Sequence, residues 1–120
     1  MRTNKETGRL GEDIAVACLQ RQGFRVLDRN WYGAAGELDV VAYEPGRDAV
    51  VGIEVKTRRG DGYGTPAEAV TARKVRRMRA LLAQWLAEHP VHAEEVRLDV
   101  LAVELRPGEP PRIEHVEGVC

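Results

Sequence analysis

Two segments decide the fold of this chain: Glu37-Leu38-Asp39-Val40-Val41 and Val51-Gly52-Ile53-Glu54-Val55-Lys56. Both are rich in valine and isoleucine, which favour β-strands. Successive side chains of a strand point to opposite faces, so the first segment has one apolar and one acidic face. The predicted apolar face consists of Leu38, Val40 and Ala42. Glu37 and Asp39 are then predicted to share the other face.

A short turn, Glu44-Pro45-Gly46-Arg47-Asp48, lies between the two strands. It predicts antiparallel pairing, because a parallel connection needs a longer crossover. On adjacent strands Asp39 and Glu54 can converge at the sheet surface, where their like charges repel unless a cation or a proton relieves them. Lys56 shares a face with Glu54, since one residue separates the two.

Hydrophobic periodicity and turn residues predict the remaining elements. Apolar residues at helical spacing predict a first helix over residues 9–22, which Gly23 ends. The later predicted elements are a strand over 24–28, a loop over 30–36, a glycine-rich loop over 59–64, a helix from Thr65 to His89-Pro90, a strand over 96–105 and a weak strand near Ile113. Thr71 offers a competing start for the helix. This order predicts an α/β fold in which helices flank a mixed sheet.

Length and composition predict one folded domain. With 120 residues, of which 43% are hydrophobic and 31% charged, the chain is expected to form a single domain with its core over about residues 8–105. The formal net charge of -1 gives no overall argument for nucleic-acid binding, so such an argument depends on local clusters. Cys18 and Cys120 have no CxxC partner, which argues against a zinc site and a disulfide framework. No apolar run has the length of a signal peptide or a membrane span, which predicts a cytoplasmic protein.

Asp39 and Glu54 are candidate metal ligands. Mg²⁺ prefers oxygen ligands and is usually held by one or two carboxylates together with phosphate oxygens of a substrate. Such an ion acidifies a bound water and offsets charge on a reacting phosphate, and Lys56 adds a second positive centre beside it. These elements suit phosphodiester hydrolysis. The alternative is a cross-strand salt bridge on a solvated sheet face, and the spacing alone leaves both interpretations open.

Glu12 is a third candidate acid. It follows Gly11 at the flank of the apolar stripe of the first helix, from which it can reach the end of the sheet as a ligand or as a residue that orients one. The alternative is a surface glutamate whose charge suits the start of a helix.

Local clusters of cations provide candidate contacts to nucleic acid. Residues 73–79 hold five cations in seven positions, enough to neutralise several phosphates. The candidates are Arg58, Arg59, Arg73, Lys74, Arg76 and Arg77. On a helical wheel Lys74 lies at the edge of the apolar stripe, whereas the neighbouring arginines point away, so Lys74 is expected nearest to the acids. A solvated helix face is the alternative explanation of the cluster.

The quoted residues also match a known pattern. The matching positions are Gly11-Glu12, Asn30-Trp31, Gly36-Glu37-Leu38-Asp39, Glu54-Val55-Lys56-Thr57-Arg58 and Lys74. From about Gly8 to Leu86 the chain resembles the YraN family of small bacterial proteins, which is similar to archaeal Holliday-junction resolvases within the PD-(D/E)XK nuclease superfamily. The resemblance implies a restriction-endonuclease-like core. It also implies that Glu12, Asp39 and Glu54 hold the metal and that Lys56 is the catalytic lysine. The proline of the superfamily name is replaced by Leu38, at a position that shapes the strand and binds no metal.

Three functions are compatible with the sequence. The first is an endonuclease, dependent on Mg²⁺ or Mn²⁺, that hydrolyses DNA, with branched or Holliday-junction-like DNA recognised by shape. The second is a non-catalytic nucleic-acid-binding module that supports DNA repair or recombination. The third is a structural interaction protein whose surface acids and cations pair with each other. The resemblance implies a homodimer, and no membrane association is expected.

Overall fold

The described part of the chain forms a five-stranded mixed sheet with a helix on each face. The computed structural model describes residues 3–60 and 70–119. The elements are α1 (Asn4–Arg21), β1 (Arg25–Gly33), β2 (Gly36–Glu44), β3 (Ala49–Arg59), α2 (Ala72–Glu88), β4 (Glu95–Leu105) and β5 (Arg112–Val116). The strands lie in the order β1-β2-β3-β4-β5, with β3 and β4 parallel and the other neighbours antiparallel. The predicted α/β class is confirmed, and the architecture is consistent with a restriction-endonuclease-like fold.

The core has two layers, one on each side of the sheet. On one side Leu19 of α1 belongs to a buried cluster with Ile53 of β3, and on the other Trp85 of α2 belongs to a cluster with Val50. Because both faces of β3 are covered, residues 49–53 are buried at every position rather than at alternate ones. The parallel pairing of β3 with β4 follows from the α2 crossover between them.

The first helix begins earlier than predicted. Its first residue is Asn4 rather than Arg9, and Thr3 caps it by accepting a hydrogen bond from the Glu6 N–H at 3.1 Å. Thr3 and Glu6 have the spacing of a capping box, which can start a helix before any apolar stripe is visible. The predicted end is confirmed: the helix ends at Arg21, and Gly23 has a φ of 92°.

The predicted loop over residues 30–36 is wrong. Strand β1 continues to Gly33, pairs with β2 to the end, and leaves only two residues, Ala34 and Ala35, in the turn. The side chain of Gln84 on α2 accepts a hydrogen bond from the Ala34 N–H at 2.8 Å. This contact comes from a distant part of the sequence, which local turn signals cannot reveal.

The second helix begins at the later of its two predicted starts, with Thr71 as its N-cap. Thr71 accepts a hydrogen bond from the Lys74 N–H at 3.1 Å, and the helix ends at Glu88 with His89 as its C-cap, as predicted. The alternative start at Thr65 and most of the predicted glycine-rich loop lie outside the described residues. Neither helix of the described ranges is long and apolar enough to cross a bilayer. The predicted strands after α2 are confirmed as β4 and β5.

The predicted apolar face of β2 needs a correction. Val40 and Ala42 pack in the cluster on the α1 side, but Leu38 packs in the cluster on the α2 side. The alternation of side chains therefore breaks between Leu38 and Val40, at Asp39. The predicted turn and antiparallel pairing of β2 with β3 are confirmed.

Candidate metal centre

Asp39 lies where β2 and β3 separate. The paired register of these strands runs from Glu44 and Ala49 to Val40 and Ile53. Beyond that point the Asp39 side chain replaces the backbone as partner, and the Val55 N–H donates to Asp39 Oδ2 at 2.8 Å. The break in alternation thus turns the carboxylate toward β3, while part of it still faces a cleft on the surface.

Glu12 reaches Asp39 because α1 approaches β3 closely at Gly11. A Cβ atom on Gly11 would lie 1.9 Å from Thr57 Oγ1 and 2.6 Å from Thr57 Cγ2, so only glycine fits there. The next residue, Glu12, is thereby brought to the end of the sheet. This close approach explains why a glycine, Gly11, precedes Glu12 in the sequence.

Three carboxylates come together at this point. Glu12, Glu37 and Asp39 each offer an oxygen, and these oxygens all lie within 4.8 Å of one another. The group includes Glu37, which was not among the candidate ligands, and in the described residues it does not include Glu54. The alternation of side chains around Leu38 was the signal for Glu37, because it predicted Glu37 and Asp39 on one face.

Two further residues hold Glu12 from β1. The Arg29 guanidinium donates to Glu12 Oε1 at 3.0 and 3.2 Å and to Asp13 Oδ1 at 2.6 Å. The Asn30 amide nitrogen donates to Glu12 Oε2 at 2.8 Å and to Glu37 Oε1 at 2.9 Å. Arg29 has no role predicted from the sequence, and Asn30 is only one of the residues that match the family pattern.

Glu54 is a further acid beside Asp39. Burial raises the pKa of Asp39 to about 7, and the repulsion of the neighbouring Glu54 charge contributes to the increase. The two carboxyl groups lie close enough to share a hydrogen bond, which also favours the protonated form. The structure thus brings Asp39 close both to Glu12 and to Glu54.

The two predicted lysines, Lys56 and Lys74, lie beside Glu54. Lys74 Nζ is 3.5 Å from Glu54 Oε2, so Lys74 is the cation of the α2 run that reaches the acids, as its place on the helical wheel indicates. Burial lowers the pKa of Lys56, and the charge of Lys74 lowers it further. Val55, between Glu54 and Lys56, packs on the opposite face in the α1 cluster. Glu54 and Lys56 therefore share the face of the sheet toward α2.

The arginine candidates fall into two groups. Arg73, Arg76 and Arg77 are exposed on α2, away from its buried stripe. Arg59 instead ties the end of β3 to the start of α1, since its guanidinium donates to Thr7 Oγ1 at 3.0 Å and to the Thr3 carbonyl at 3.2 Å. Arg58 is partly buried near the end of the same strand, β3. Among the arginine candidates, Arg73, Arg76 and Arg77 thus form the exposed group on α2.

The acids open into a cleft of about 570 Å³, whose lining includes Glu12, Asp39 and Lys56. Its donor set consists of carboxylate oxygens, which suits a hard divalent cation such as Mg²⁺ or Mn²⁺. The raised pKa of Asp39 also favours a cation at this position, because a nearby cation stabilises the ionised form of crowded carboxylates. The residues present therefore fit the metal that the sequence analysis expects.

Comparison with known proteins assigns the chain to a family. A model described as uncharacterised protein family UPF0102, the YraN family, matches residues 11–103. The chain is similar to a UPF0102 protein of Mycolicibacterium gilvum (50% identical, covering 98% of this chain and 95% of the relative) and to one of Rhodococcus opacus (49% identical, covering 97% of each). A UPF0102 protein of Renibacterium salmoninarum is 44% identical over 99% of both chains. The expected resemblance is confirmed, and the chain belongs to family UPF0102, the YraN family.

Proposed function

We propose that this protein is a metal-dependent endonuclease that hydrolyses phosphodiester bonds of DNA. The observation that carries the proposal is the Asp39 carboxylate, which lies close to the acids Glu12, Glu37 and Glu54 and in an open cleft that Lys56 also lines. A perturbed acid in such surroundings is typical of a functional site, since a purely structural carboxylate is usually paired with cations.

The acids and the lysine have separate tasks in this proposal. Asp39, Glu54 and Glu12 hold Mg²⁺ or Mn²⁺, and Glu37 joins them by its distance to Glu12 and Asp39. The bound ion supplies a Lewis acid and an acidified water. Lys56 stands on the same face as Glu54, where its amino group can orient the water and offset negative charge that builds on the phosphate.

DNA would lie along α2 and across the cleft. Arg73, Arg76 and Arg77 are exposed on the helix that also carries Lys74 to Glu54, so one helix holds both the proposed phosphate contacts and a cation beside the acids. Phosphate contacts of this kind fix the position of DNA without reading its sequence. Recognition by shape, as expected for branched DNA, agrees with such a surface.

A second candidate is a nucleic-acid-binding module without catalysis, in support of DNA repair or recombination. The exposed arginines of α2 favour it. They lie on the side of the helix away from its buried stripe, so they can bind phosphates whether or not the acids hold a metal.

The test compares nicking of a four-way junction and of a linear duplex in the presence of Mg²⁺, Mn²⁺ or a chelator. The wild type is measured beside Asp39→Asn, Lys56→Ala and the matched control Glu95→Gln, an exposed acid at the opposite end of β3 and β4. We expect cutting by the wild type and the control with metal, and loss of at least about 100-fold in the two site variants. Cutting that persists in the chelator, or in both site variants, contradicts the endonuclease. DNA binding without cutting by the wild type would favour the second candidate.

A further inference from the structure

One amide group connects two of the clustered acids. The Asn30 side-chain nitrogen donates to Glu12 Oε2 at 2.8 Å and to Glu37 Oε1 at 2.9 Å, so both of its N–H groups are used. Glu12 comes from α1 and Glu37 from β2, and Asn30 lies between them on β1. A single residue thus joins acids of two different elements.

The backbone of Asn30 is unusual for a residue inside a strand. Its φ is 49°, and in the described residues only Asp48 is another non-glycine residue with a positive φ. Asparagine tolerates this left-handed region better than most residues. The flanking residues keep their register, with Arg29 opposite Val40 and Trp31 opposite Leu38. The left-handed residue therefore occurs inside a paired strand, where nothing about a turn requires it.

The charges of the cluster give this geometry a consequence. Carboxylates of Glu12, Glu37 and Asp39 within 4.8 Å repel one another, and free side chains would turn apart. Asn30 offers two partial positive charges to two of them, while Arg29 occupies the other oxygen of Glu12 at 3.0 Å. Glu12 Oε2 and Glu37 Oε1 each accept one N–H of Asn30, which leaves each of these two oxygens a further acceptor position. Groups that bond to ligands in this way orient them and increase metal affinity.

We infer that Asn30 is a positioning residue, which holds Glu12 and Glu37 in place for a divalent cation. The inference rests on the proposed metal centre and extends it to a residue that touches neither the ion nor the reacting atoms. Asn30 keeps the acids at ligand spacing before the cation arrives, so that binding does not have to gather them.

The test measures Mn²⁺ affinity by isothermal titration calorimetry, without DNA and without any activity. Asn30→Gly is the main variant, because glycine accepts the left-handed backbone and removes only the amide. Asp48→Gly is the matched control, since Asp48 has the same φ of 49° in the turn at the other end of the β2–β3 hairpin. Asp39→Asn reports whether Mn²⁺ binds at the cluster. Asn30→Ser, whose hydroxyl is too short to join both acids, serves as a second variant if Asn30→Gly does not fold.

We expect Asn30→Gly to weaken Mn²⁺ binding by about 10- to 100-fold and Asp48→Gly to leave it unchanged. Thermal unfolding of the metal-free variants shows whether they are folded. Unchanged affinity in Asn30→Gly, together with loss of binding in Asp39→Asn, overturns the role of Asn30 and leaves the metal centre in place. If the wild type binds no Mn²⁺, or Asp39→Asn binds it equally well, the proposed metal centre itself fails.

Discussion

Asp39 and Asp99 are two carboxylates in the same sheet whose surroundings differ completely. Asp99 is fully buried on β4, and burial alone would raise its pKa. Hydrogen bonds from His115 at 2.8 Å and from Arg97 at 2.8 and 3.0 Å, with the Gly118 N–H at 3.0 Å, lower the pKa instead. Both oxygens of the Asp99 carboxylate therefore take part in hydrogen bonds.

Asp39 is less buried, yet burial and Glu54 raise its pKa to about 7. It receives one backbone N–H, from Val55, and its other neighbours in the cluster are acids. The comparison teaches that the partners of a carboxylate, more than its depth, decide whether its pKa is lowered, as in Asp99, or raised, as in Asp39.

The largest effect is expected when the satisfied carboxylate is removed. Asp99→Ala leaves Arg97 and His115 without their buried partner, and we expect a loss of about 3 to 5 kcal/mol in the free energy of unfolding. Urea denaturation measures it, with Glu95→Gln on the same strand expected to change stability by no more than about 0.5 kcal/mol. A loss below about 1 kcal/mol would mean that the network around Asp99 does not stabilise the fold.

A divalent cation should stabilise the fold through the acids around Asp39 and not through Asp99. At a Mn²⁺ concentration of about 100 times the dissociation constant, the wild type should gain about 2.7 kcal/mol in the free energy of unfolding. Asp39→Asn should gain almost nothing, because it lacks the central ligand. Thermal unfolding with and without Mn²⁺ measures both. An equal gain in the variant would show that the ion binds away from Asp39.

The two carboxylates should also give opposite pH dependences. The folded protein keeps the Asp39 proton up to about pH 7, whereas the unfolded chain loses it near the ordinary value of 3.8. Stability from this residue is therefore lost as the pH rises between these values. Metal-free Asp39→Asn does not titrate and should be more stable than the wild type by at least about 1 kcal/mol at about pH 8, since one pKa unit corresponds to about 1.4 kcal/mol.

Urea denaturation from about pH 4 to about pH 8 measures that difference, which should be smallest at the acid end. A difference that stays constant with pH would contradict the raised pKa of Asp39. The contribution of Asp99 has the reverse sign: its lowered pKa stabilises the fold above the ordinary value and is lost as the pH falls through the folded value.

The smallest effect on stability is expected at the exposed cations of α2. Arg73→Gln and Arg76→Gln remove charges that face solvent, so each should change the free energy of unfolding by less than about 0.5 kcal/mol. Each should nevertheless weaken DNA binding and reduce its salt dependence by about one unit of slope. Fluorescence anisotropy at several salt concentrations measures this, and an unchanged slope would remove these arginines from the proposed DNA surface.

Some of these features were accessible from the sequence because they depend on neighbours along the chain. Strand alternation identified Asp39, Glu54 and Lys56, and the turn before Ala49 predicted the antiparallel pair that brings two of them near each other. The helical wheel predicted that Lys74 would be the cation beside the acids. The mixed sheet with flanking helices followed from the order of elements.

The sequence by itself determined the candidate residues Asp39, Glu54 and Lys56 and the strands on which they lie. Only the tertiary structure decided that Glu37 joins the acids, that Asn30 and Arg29 hold Glu12, and that Leu38 turns to the α2 face. These outcomes depend on where α1 meets β3 at Gly11 and on where β2 leaves β3 at Asp39. Contacts between elements far apart in sequence set such positions, and local propensity and periodicity hold no information about them.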